Sequence, residues 1–549
     1  MLSRAPVLAW AGLGVALALV AGRGAPAARG LDRAWFVAVV PGTLLLCMAT
    51  VPEWYRDSLT YHAALPRHFA QAGGYAPMDD NVFASFPLGW ESILAQLCSF
   101  GEAPDRYPPF ELLLAGVWVT LALTLATGGL AGLLGASPRV AALGGLTLLL
   151  VPTFVEFGPS SYVEPWLLLL ATLALAAALS GRPALAGALA GLAASSKYPG
   201  LAVALFVGVV LLADALRRPD PRRELRRIPV FLVMVVSFAA PFYVRKVLER
   251  GNPVFPLAWE LWGGPGWDAW RASAYAATLR EYGLGRAPVD TLLLPWRLFT
   301  TTDLRDGFEG SLGPVVGLGL LVGACRARTD RGCALVLLFA VLWSLFWAIN
   351  VQQVRFYLVA VPPLLALLAA GLGSVVRAGA ALLFAAAWAA PVVPGLWQRQ
   401  LTSEWLSGEL GREAILETLL PGGFGAMRGL EAEVPEDGRL WLVWTQAQTY
   451  YLRREMRLDC VFEGWRFEAL LDEQPSAAEF GAALRREGFT HVLIDRRFLL
   501  WRRIADLTEG RTDRLRRRFE AVKTAGVLDE RRCWGPMCLY RVGGGGADP

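Results

Sequence analysis

Long apolar runs alternate with short polar segments over most of this chain. Each run approaches the ~20 helical residues that cross the hydrocarbon core of a bilayer. The pattern predicts about twelve membrane-spanning helices, at residues 5–22, 34–52, 109–135, 139–156, 162–180, 183–197, 198–214, 228–244, 310–325, 333–350, 355–373 and 376–396. Residues 1–396 therefore form a predicted transmembrane domain, and the pattern ends where residues 397–549 begin.

Arginine-rich segments set the predicted orientation, because short basic loops stay in the cytoplasm. The segments RRPDPRRELRR (217–227) and RARTDR (326–331), and the arginines of the first loop, all fall on one side when the helices are counted. Two long loops, at 53–108 and 245–309, then lie on the extracytoplasmic face together with the tail. In the first loop, FPLGWESILAQLCSF (86–100) predicts a helix on the membrane surface or against the bundle.

Composition agrees with a polytopic membrane protein. Of the 549 residues 55% are hydrophobic and 18% are charged, and mean hydropathy is +0.42; soluble proteins carry about 25% charged residues. The net charge of +5 is modest and gives no reason to expect a nucleic-acid partner. Small residues after the run 5–22 resemble a signal-peptide cleavage site, but a second spanning run follows at once. We therefore expect this first helix to be retained.

The tail has the pattern of a small α/β domain. RLWLVWT (439–445) and HVLID (491–495) predict strands, and SAAEFGAALRREG (476–488) predicts a helix between them. GGFGAMRG (422–429) follows no strand, so it is predicted to be a loop. The domain is expected in the periplasm, where Cys533 and Cys538 are the local candidates for a disulfide, although two free thiols fit the sequence equally well.

Two acidic residues lie at the outer mouths of predicted helices. Asp57, in RDSLTYHA (56–63), follows the run 34–52, and Glu164 is in SSYVEP (160–165). Two carboxylates at one membrane surface could serve as a base for an acceptor hydroxyl, as ligands of a divalent cation such as Mg or Mn, or both. The alternative for each is a solvated helix end.

Cationic and aromatic residues share this face. Arginine and lysine bind phosphate well, and each could also snorkel to lipid headgroups. His62 could pair with Asp57, bind a metal or phosphate, or be a plain interfacial side chain. The candidates for substrate and phosphate binding are Tyr61, His62, Lys197, Tyr198, Arg245 and Arg355. Solvated acidic loops are expected at Asp79, Asp80, Asp303 and Asp306, with donor or metal contact as the alternative.

Several stretches together resemble the GT-C glycosyltransferases, integral membrane enzymes that take sugar from a polyprenyl-phosphate donor. The similarity is to the bacterial branch of mannosyltransferases, aminoarabinose transferases and rhizobial galacturonosyltransferase-like proteins. It covers about residues 50 to 375 and is carried by RDSLTYHAALPRHF, NVFASFPLGWE, SSYVEPWLLLLATLAL, AGALAGLAASSKYPGL, PFYVRKVLERGNPVFP and QQVRFYLVAVPPLLAL.

The resemblance implies roles for individual residues. Asp57 takes the place of the catalytic or metal-linked carboxylate, and Glu164 that of a second-loop acid for which Asp is commoner. Lys197, Arg245 and Arg355 would neutralise the donor phosphate. Two features depart from the family pattern: a helix at 5–22 precedes its usual first helix, and Leu59 stands where the second acid of a DxD pair would be.

These observations predict a hexosyl- or pentosyltransferase of the bacterial inner membrane. It would move a sugar from a polyprenyl phosphate to a hydroxyl of a glycolipid, polysaccharide or protein, with inversion at the anomeric carbon. Asp57 is the expected base. The alternatives are a lipid or polysaccharide transporter, and a non-catalytic envelope-assembly protein.

Overall fold

The fold is that of a computed structural model, which describes residues 39–78, 81–99, 110–302, 304, 307–420, 424–445, 450–451, 461–496 and 510–543. The predicted first span at 5–22 and the acidic residues Asp79, Asp80, Asp303 and Asp306 lie outside these residues.

Helices make up most of the first part. Those up to residue 216 are α1 Val39–Ala49, α2 Ala64–Gln71, α3 Gly89–Cys98, α4 Phe110–Leu133, α5 Pro138–Leu148, α6 Pro152–Phe157, α7 Glu164–Leu179, α8 Pro183–Ser196 and α9 Pro199–Leu216. Those that follow are α10 Pro221–Leu225, α11 Arg227–Arg250, α12 Trp259–Trp262, α13 Ala269–Arg280, α14 Pro288–Thr300, α15 Pro314–Arg326, α16 Arg331–Ile349, α17 Val354–Tyr357, α18 Val361–Leu372, α19 Val375–Ala389 and α20 Val393–Arg399.

Apolar helices match most of the predicted spans. Within the described residues, 5 helices are long and apolar enough to cross a membrane, or up to 6 if the bent pair α19–α20 is one span. Helices α7, α8 and α15 are also apolar but shorter. The predicted span 139–156 is broken into α5 and α6, and the span 376–396 bends by 42° between α19 and α20. The total of about twelve stays a prediction.

Helices α8 and α11 pack unusually closely. A Cβ added to Gly187 would lie 2.3 Å from the Phe231 carbonyl oxygen, and one added to Gly191 would lie 2.7 Å from that of Val235. Small residues four positions apart let two membrane helices approach this way. Much of the rest of α11 is exposed and apolar, including Leu232, Val233, Val236 and Leu248. This surface suits contact with lipid.

The tail is a mixed α/β domain, as the sequence predicts. Its elements are α21 Thr402–Ser407, α22 Arg412–Leu419, α23 Phe424–Glu433, β1 Leu440–Val443, α24 Val461–Glu473, α25 Ala477–Arg486, β2 His491–Asp495, α26 Arg511–Thr524, β3 Leu528–Trp534 and β4 Met537–Val542. The strand order is β1-β2-β4-β3, with β1 parallel to β2 and the other pairs antiparallel. A disulfide joins Cys533 to Cys538, which face each other across β3 and β4.

The prediction of a loop at GGFGAMRG (422–429) is wrong, because helix α23 begins at Phe424. Three apolar side chains of this helix, Ala426, Met427 and Leu430, pack against one face of the sheet and make a helix favourable there. Tertiary packing therefore overrides the glycine content of the segment.

The opposite face of the sheet packs against the outer loops. Phe255, Trp267 and Ala274 of the second loop share one buried cluster with Trp441 and Val443 of β1. The tail also reaches the first loop, where the Arg67 guanidinium donates to the Tyr450 carbonyl oxygen at 2.7 Å. The Tyr451 hydroxyl donates to the Glu53 carbonyl oxygen. The tail thus holds the segment that leads to Asp57.

Candidate functional site

Asp57 stands at the start of a short π-helix, Ser58–His62. The turn closes through a hydrogen bond from the Ala63 amide to the Ser58 carbonyl oxygen at 2.7 Å. Just before it, the buried Glu53 carboxylate accepts from the backbone amides of Tyr55 at 3.1 Å and Ser161 at 3.3 Å. Single π-turns are rare and frequent at functional sites. Here the turn brings the Tyr61 hydroxyl within 3.4 Å of Asp57 Oδ2.

The acids and two of the predicted cations form one ionic network. Arg355 Nη1 lies 2.5 Å from Asp57 Oδ2, and Arg355 Nε lies 3.9 Å from Glu164 Oε1. Lys197 Nζ lies 2.6 Å from the same Glu164 oxygen. The four side chains come from the π-helix, the first turn of α7, the junction of α8 with α9, and α17. The helical bundle therefore brings together charges that are far apart in sequence.

The network is balanced in charge and largely shielded from water. Glu164 is buried, and the side chains of Lys197, Arg355 and Asp57 are 13%, 15% and 23% exposed. Burial alone would raise the pKa of Asp57, but the charge and the hydrogen bond of Arg355, with smaller contributions from neighbouring cations, outweigh burial and lower the pKa to about 2. The carboxylate is consequently ionised at neutral pH.

A second layer of contacts orients Arg355. The Gln353 side chain accepts from Arg355 Nε at 2.8 Å through its oxygen and donates to Glu309 at 2.5 Å through its nitrogen. The guanidinium lies 4.9 Å from the Phe356 ring and 5.7 Å from the Tyr162 ring. Because both its polar and aromatic partners are fixed by the bundle, the cation is preorganised.

The outer loop 245–309 supplies one wall of this site. Burial raises the pKa of Tyr275 and of Tyr282, and both phenols interact electrostatically with Asp57 and Arg355. Two aromatic hydroxyl groups next to an ionic network suit a polar ligand with an apolar portion.

His62 does not pair with Asp57, which was one of the predicted alternatives. Its Nδ1 lies 2.5 Å from Glu91 Oε1, and the two side chains are 1% and 2% exposed. The neighbouring Tyr61 donates its hydroxyl to Asp57 Oδ2 at 3.4 Å and stacks on Phe83. Both predicted residues therefore line the site, with Tyr61 in the network and His62 in a buried pair beside it.

Tyr198 and Arg245 make their hydrogen bonds away from the ionic network. The Tyr198 hydroxyl donates to the Phe255 carbonyl oxygen at 2.5 Å. Arg245 donates to the carbonyl oxygens of Ala84 and Phe86, each at 3.2 Å. The Tyr198 bond ties the junction of α8 with α9 to the second outer loop, and the Arg245 bonds tie the start of that loop to the first. The structure therefore gives both residues a role in loop packing. The buried Lys246 ammonium lies over the Tyr198 and Tyr243 rings, at 4.4 and 4.3 Å.

The donor set at the network does not fit a resident divalent cation. Asp57 and Glu164 are each compensated by a cationic side chain, and Mg²⁺ or Mn²⁺ would face two positive charges at close range. Within the described residues, one group of three ligands is close enough to share a metal ion: Glu530, Cys533 and Cys538. Its two cysteines form the disulfide, so they are not free thiolates.

Sequence reasoning missed Glu91, Glu309 and Gln353. Glu91 carried a usable signal, since it stands between Trp90 and Leu94 on the face of α3 that is buried against the bundle. A carboxylate on such a face needs a partner. Glu309 and Gln353 carried no sequence signal, because their role depends on a hydrogen bond between residues 44 positions apart.

Comparison with solved structures identifies the fold. The crystal structure of ArnT from Cupriavidus metallidurans bound to undecaprenyl phosphate superposes with a TM-score of 0.54 and 16% identity, covering 93% of this chain and 98% of ArnT. The apo state of the same protein superposes with a TM-score of 0.53 and 17% identity, covering 92% of this chain and 96% of ArnT. A third structure is the archaeal oligosaccharyltransferase AglB from Archaeoglobus fulgidus in complex with an inhibitory peptide and a dolichol-phosphate. It superposes with a TM-score of 0.51 and 13% identity, covering 85% of this chain and 70% of AglB.

Comparison by sequence finds no match, either to a protein-family model or to a curated protein. The likeness is therefore one of three-dimensional structure, over nearly the whole chain, to an aminoarabinose transferase and an oligosaccharyltransferase of one superfamily. This chain has the fold of the GT-C superfamily.

Proposed function

We propose that the protein is a membrane glycosyltransferase that takes a sugar from a polyprenyl-phosphate donor. The observation that carries this is the Asp57–Arg355–Glu164–Lys197 network, which lies where apolar helices meet the outer loops. Support comes from the shared fold, since the compared structures of ArnT and AglB hold undecaprenyl phosphate and a dolichol-phosphate.

Arg355 and Lys197 are the proposed ligands of the donor phosphate. A phosphodiester at headgroup level would compete with the two carboxylates for these cations, and charge-assisted bonds to them would favour departure of the polyprenyl phosphate. The lipid tail would remain among the apolar helices. The acceptor hydroxyl would attack the anomeric carbon in one displacement, with inversion.

Asp57 is the partly exposed acid of the network, and it is the base predicted from the sequence. Its proposed task is to hold Arg355 before the donor arrives and to face the positive charge that develops on the sugar. Glu164 would hold Lys197 in the same way, since its Oε1 lies 2.6 Å from the Lys197 ammonium. Tyr61, Tyr275 and Tyr282 would surround the sugar.

The proposed site faces the periplasm of a bacterial inner membrane. The basic segments 217–227 and 326–331 support a position of the outer loops outside the cytoplasm. The Cys533–Cys538 disulfide supports the same side for the tail, because disulfides persist in oxidising compartments. A glycolipid, a glycan or a protein could supply the hydroxyl there.

Glycosyl transfer in membrane vesicles tests the proposal. Radiolabelled polyprenyl-phosphate sugars would be supplied to wild type, Asp57→Asn, Glu164→Gln and Asp472→Asn at matched expression. Asp472 pairs with Arg514 on the tail surface, so its variant controls for loss of an ion pair alone. Label should reach an acceptor in wild type and in Asp472→Asn, and fall at least about 100-fold in the two site variants. Equal transfer by Asp57→Asn would contradict the assigned site.

Absence of transfer from every donor would redirect the assignment. A transporter should retain movement of lipid-linked sugar across the membrane in Asp57→Asn, whereas an assembly protein should show neither activity. Both outcomes would overturn the proposed transfer.

Metal dependence can be tested in the same assay. Because the acids are already neutralised by Lys197 and Arg355, we expect EDTA to leave the transfer rate within about twofold of its starting value. A loss of activity that Mg²⁺ or Mn²⁺ restores would show that a cation enters with the substrates.

A further inference from the structure

A buried histidine–carboxylate pair stands directly behind the ionic network. His62 Nδ1 lies 2.5 Å from Glu91 Oε1, and the two side chains are 1% and 2% exposed. His62 Nε2 is also buried, and it has no hydrogen-bond partner among the described residues. A carboxylate at Nδ1 keeps a proton on that nitrogen and leaves the Nε2 lone pair available in the neutral ring.

The position of the ring links it to the network. His62 ends the π-helix that Asp57 begins. Its ring lies 4.0 Å from that of Tyr61, whose hydroxyl binds Asp57, and 5.3 Å from that of Tyr162, which also faces Arg355. The charged and titratable groups around it are Glu91 on α3, Asp57 and Tyr61 on its own segment, Tyr162 and Glu164 at the start of α7, and the cations Lys197 and Arg355.

The two acids of the network are poorly suited to accept a proton in this state. A general base works best when its pKa lies near the operating pH. Asp57 is held by Arg355 at 2.5 Å, and Glu164 is held by Lys197 at 2.6 Å. A cation at this range favours the ionised carboxylate and makes it a weak base. An imidazole, in contrast, changes charge near neutral pH.

We propose that His62, oriented by Glu91, is the general base of the sugar transfer. The inference rests on the proposed function and deepens it. The O–H bond of the acceptor breaks and its proton goes to His62 Nε2, while the acceptor oxygen forms a bond to the anomeric carbon. The bond from that carbon to the phosphate oxygen breaks, and its electron pair leaves with the polyprenyl phosphate, which Arg355 and Lys197 receive.

Access to Nε2 requires either a movement of neighbouring side chains or a bridging water molecule. Nε2 is buried, and the Tyr61 and Tyr162 rings lie next to the imidazole. The acceptor would therefore displace a neighbouring side chain or pass its proton through one water molecule.

Variants can separate the base from its structural contact. In His62→Asn the amide can still donate to Glu91 from near the Nδ1 position, but nothing replaces Nε2. Glu91→Gln keeps a hydrogen-bond acceptor at Nδ1 and removes the charge. The chain has 3 histidines, so His68→Gln and His491→Gln are the matched controls. Each variant would be assayed for kcat from pH 5 to 9 and for binding of labelled polyprenyl phosphate.

The expected result is a kcat about 100-fold or more lower in His62→Asn, with unchanged binding of polyprenyl phosphate. The acidic limb of the kcat profile should disappear in that variant. Glu91→Gln should also lower kcat, because the carboxylate no longer stabilises the positive charge that the imidazole gains during transfer. Both control variants should behave as wild type.

Three outcomes would overturn the assignment. Wild-type kcat in His62→Asn would exclude His62 as the base, and an acidic limb kept in His62→Asn but lost in Asp57→Asn would give the role to Asp57. Loss of polyprenyl-phosphate binding in His62→Asn would make the histidine a structural residue. A wild type that transfers no sugar from any donor would overturn the proposed function itself and this inference with it.

Discussion

At the scale of single residues, the site depends on carboxylates that would be costly to bury alone. Asp57 and Glu164 are tolerated because Arg355 and Lys197 lie at salt-bridge distance. A buried ion pair adds little net stability, yet removing one partner strands the other charge. In the proposed function, the same pairs would keep two cations available for an incoming phosphate. Stability and function can therefore be separated by mutation.

The Glu164–Lys197 pair offers one such separation. Lys197→Met leaves the buried Glu164 carboxylate without its nearer cation, with Arg355 3.9 Å away, and we expect it to destabilise the protein by about 3 kcal/mol. The double variant Glu164→Gln/Lys197→Met removes both charges and should recover most of that loss, while sugar transfer stays absent. Thermal unfolding in detergent, followed by tryptophan fluorescence, measures the first effect. Recovery of transfer in the double variant would show that Lys197 has no part in donor binding.

Asp57 makes stability depend on pH with a definite sign. Its pKa in the folded protein is about 2, below the ordinary value of 3.8, so its stabilising contribution is complete above about pH 4. It is lost as the pH falls from about 4 towards 2, and the difference in pKa corresponds to about 2 kcal/mol.

We expect this loss of stability to be smaller in Arg355→Gln than in wild type. Without the guanidinium, the main effect that opposes burial is gone and the pKa of Asp57 rises, so acid removes less stability through this group. Unfolding in detergent between pH 6 and pH 2 tests the difference. Arg514→Gln, which breaks an exposed pair with Asp472, is the control and should change the free energy of unfolding by less than about 1 kcal/mol. Parallel pH curves for wild type and Arg355→Gln would contradict the assigned pairing.

At the scale of elements, a hydrophobic pattern predicts helices better than their ends and breaks. The predicted segment 183–197 corresponds closely to α8, Pro183–Ser196, because Pro183 can begin a helix and the apolar run ends at Lys197. The break between α5 and α6 was not predictable from hydropathy, since residues 149–151 are as apolar as their neighbours. The π-turn after Asp57 also left no sequence signal.

Close packing of α8 on α11 gives a test at this scale. Gly187→Ala places a methyl group 2.3 Å from the Phe231 carbonyl oxygen, so the helices must separate, at a cost of about 1–3 kcal/mol. Gly132→Ala, in α4, is the control, because nothing lies within 4 Å of its added Cβ. Alanine favours helix over glycine there and should be neutral or slightly stabilising. Equal melting temperatures for the two variants would show that α8 and α11 are less tightly packed.

At the scale of the whole molecule, the tail and the outer loops act as one unit around Asp57. A single buried cluster joins β1 to the second outer loop, and Tyr450 and Tyr451 contact the first loop through Arg67 and Glu53. The pattern of strands and a helix predicted an α/β tail, and the basic loops predicted its side of the membrane, but neither predicted its docking. The Tyr451–Glu53 contact joins residues 398 positions apart, and no local pattern encodes it.

This arrangement requires the tail and the Asp57 loop to lie on the same side of the membrane. The free thiol of Cys325 is exposed at the end of α15, next to the basic segment 326–331, and is predicted to be cytoplasmic. A cysteine introduced at the exposed Asp513 of the tail should react with a membrane-impermeant maleimide in intact spheroplasts, whereas Cys325 should react only after permeabilisation. Labelling of Cys325 in sealed cells, with protection of Asp513→Cys, would invert the orientation and move the proposed donor site to the cytoplasmic leaflet.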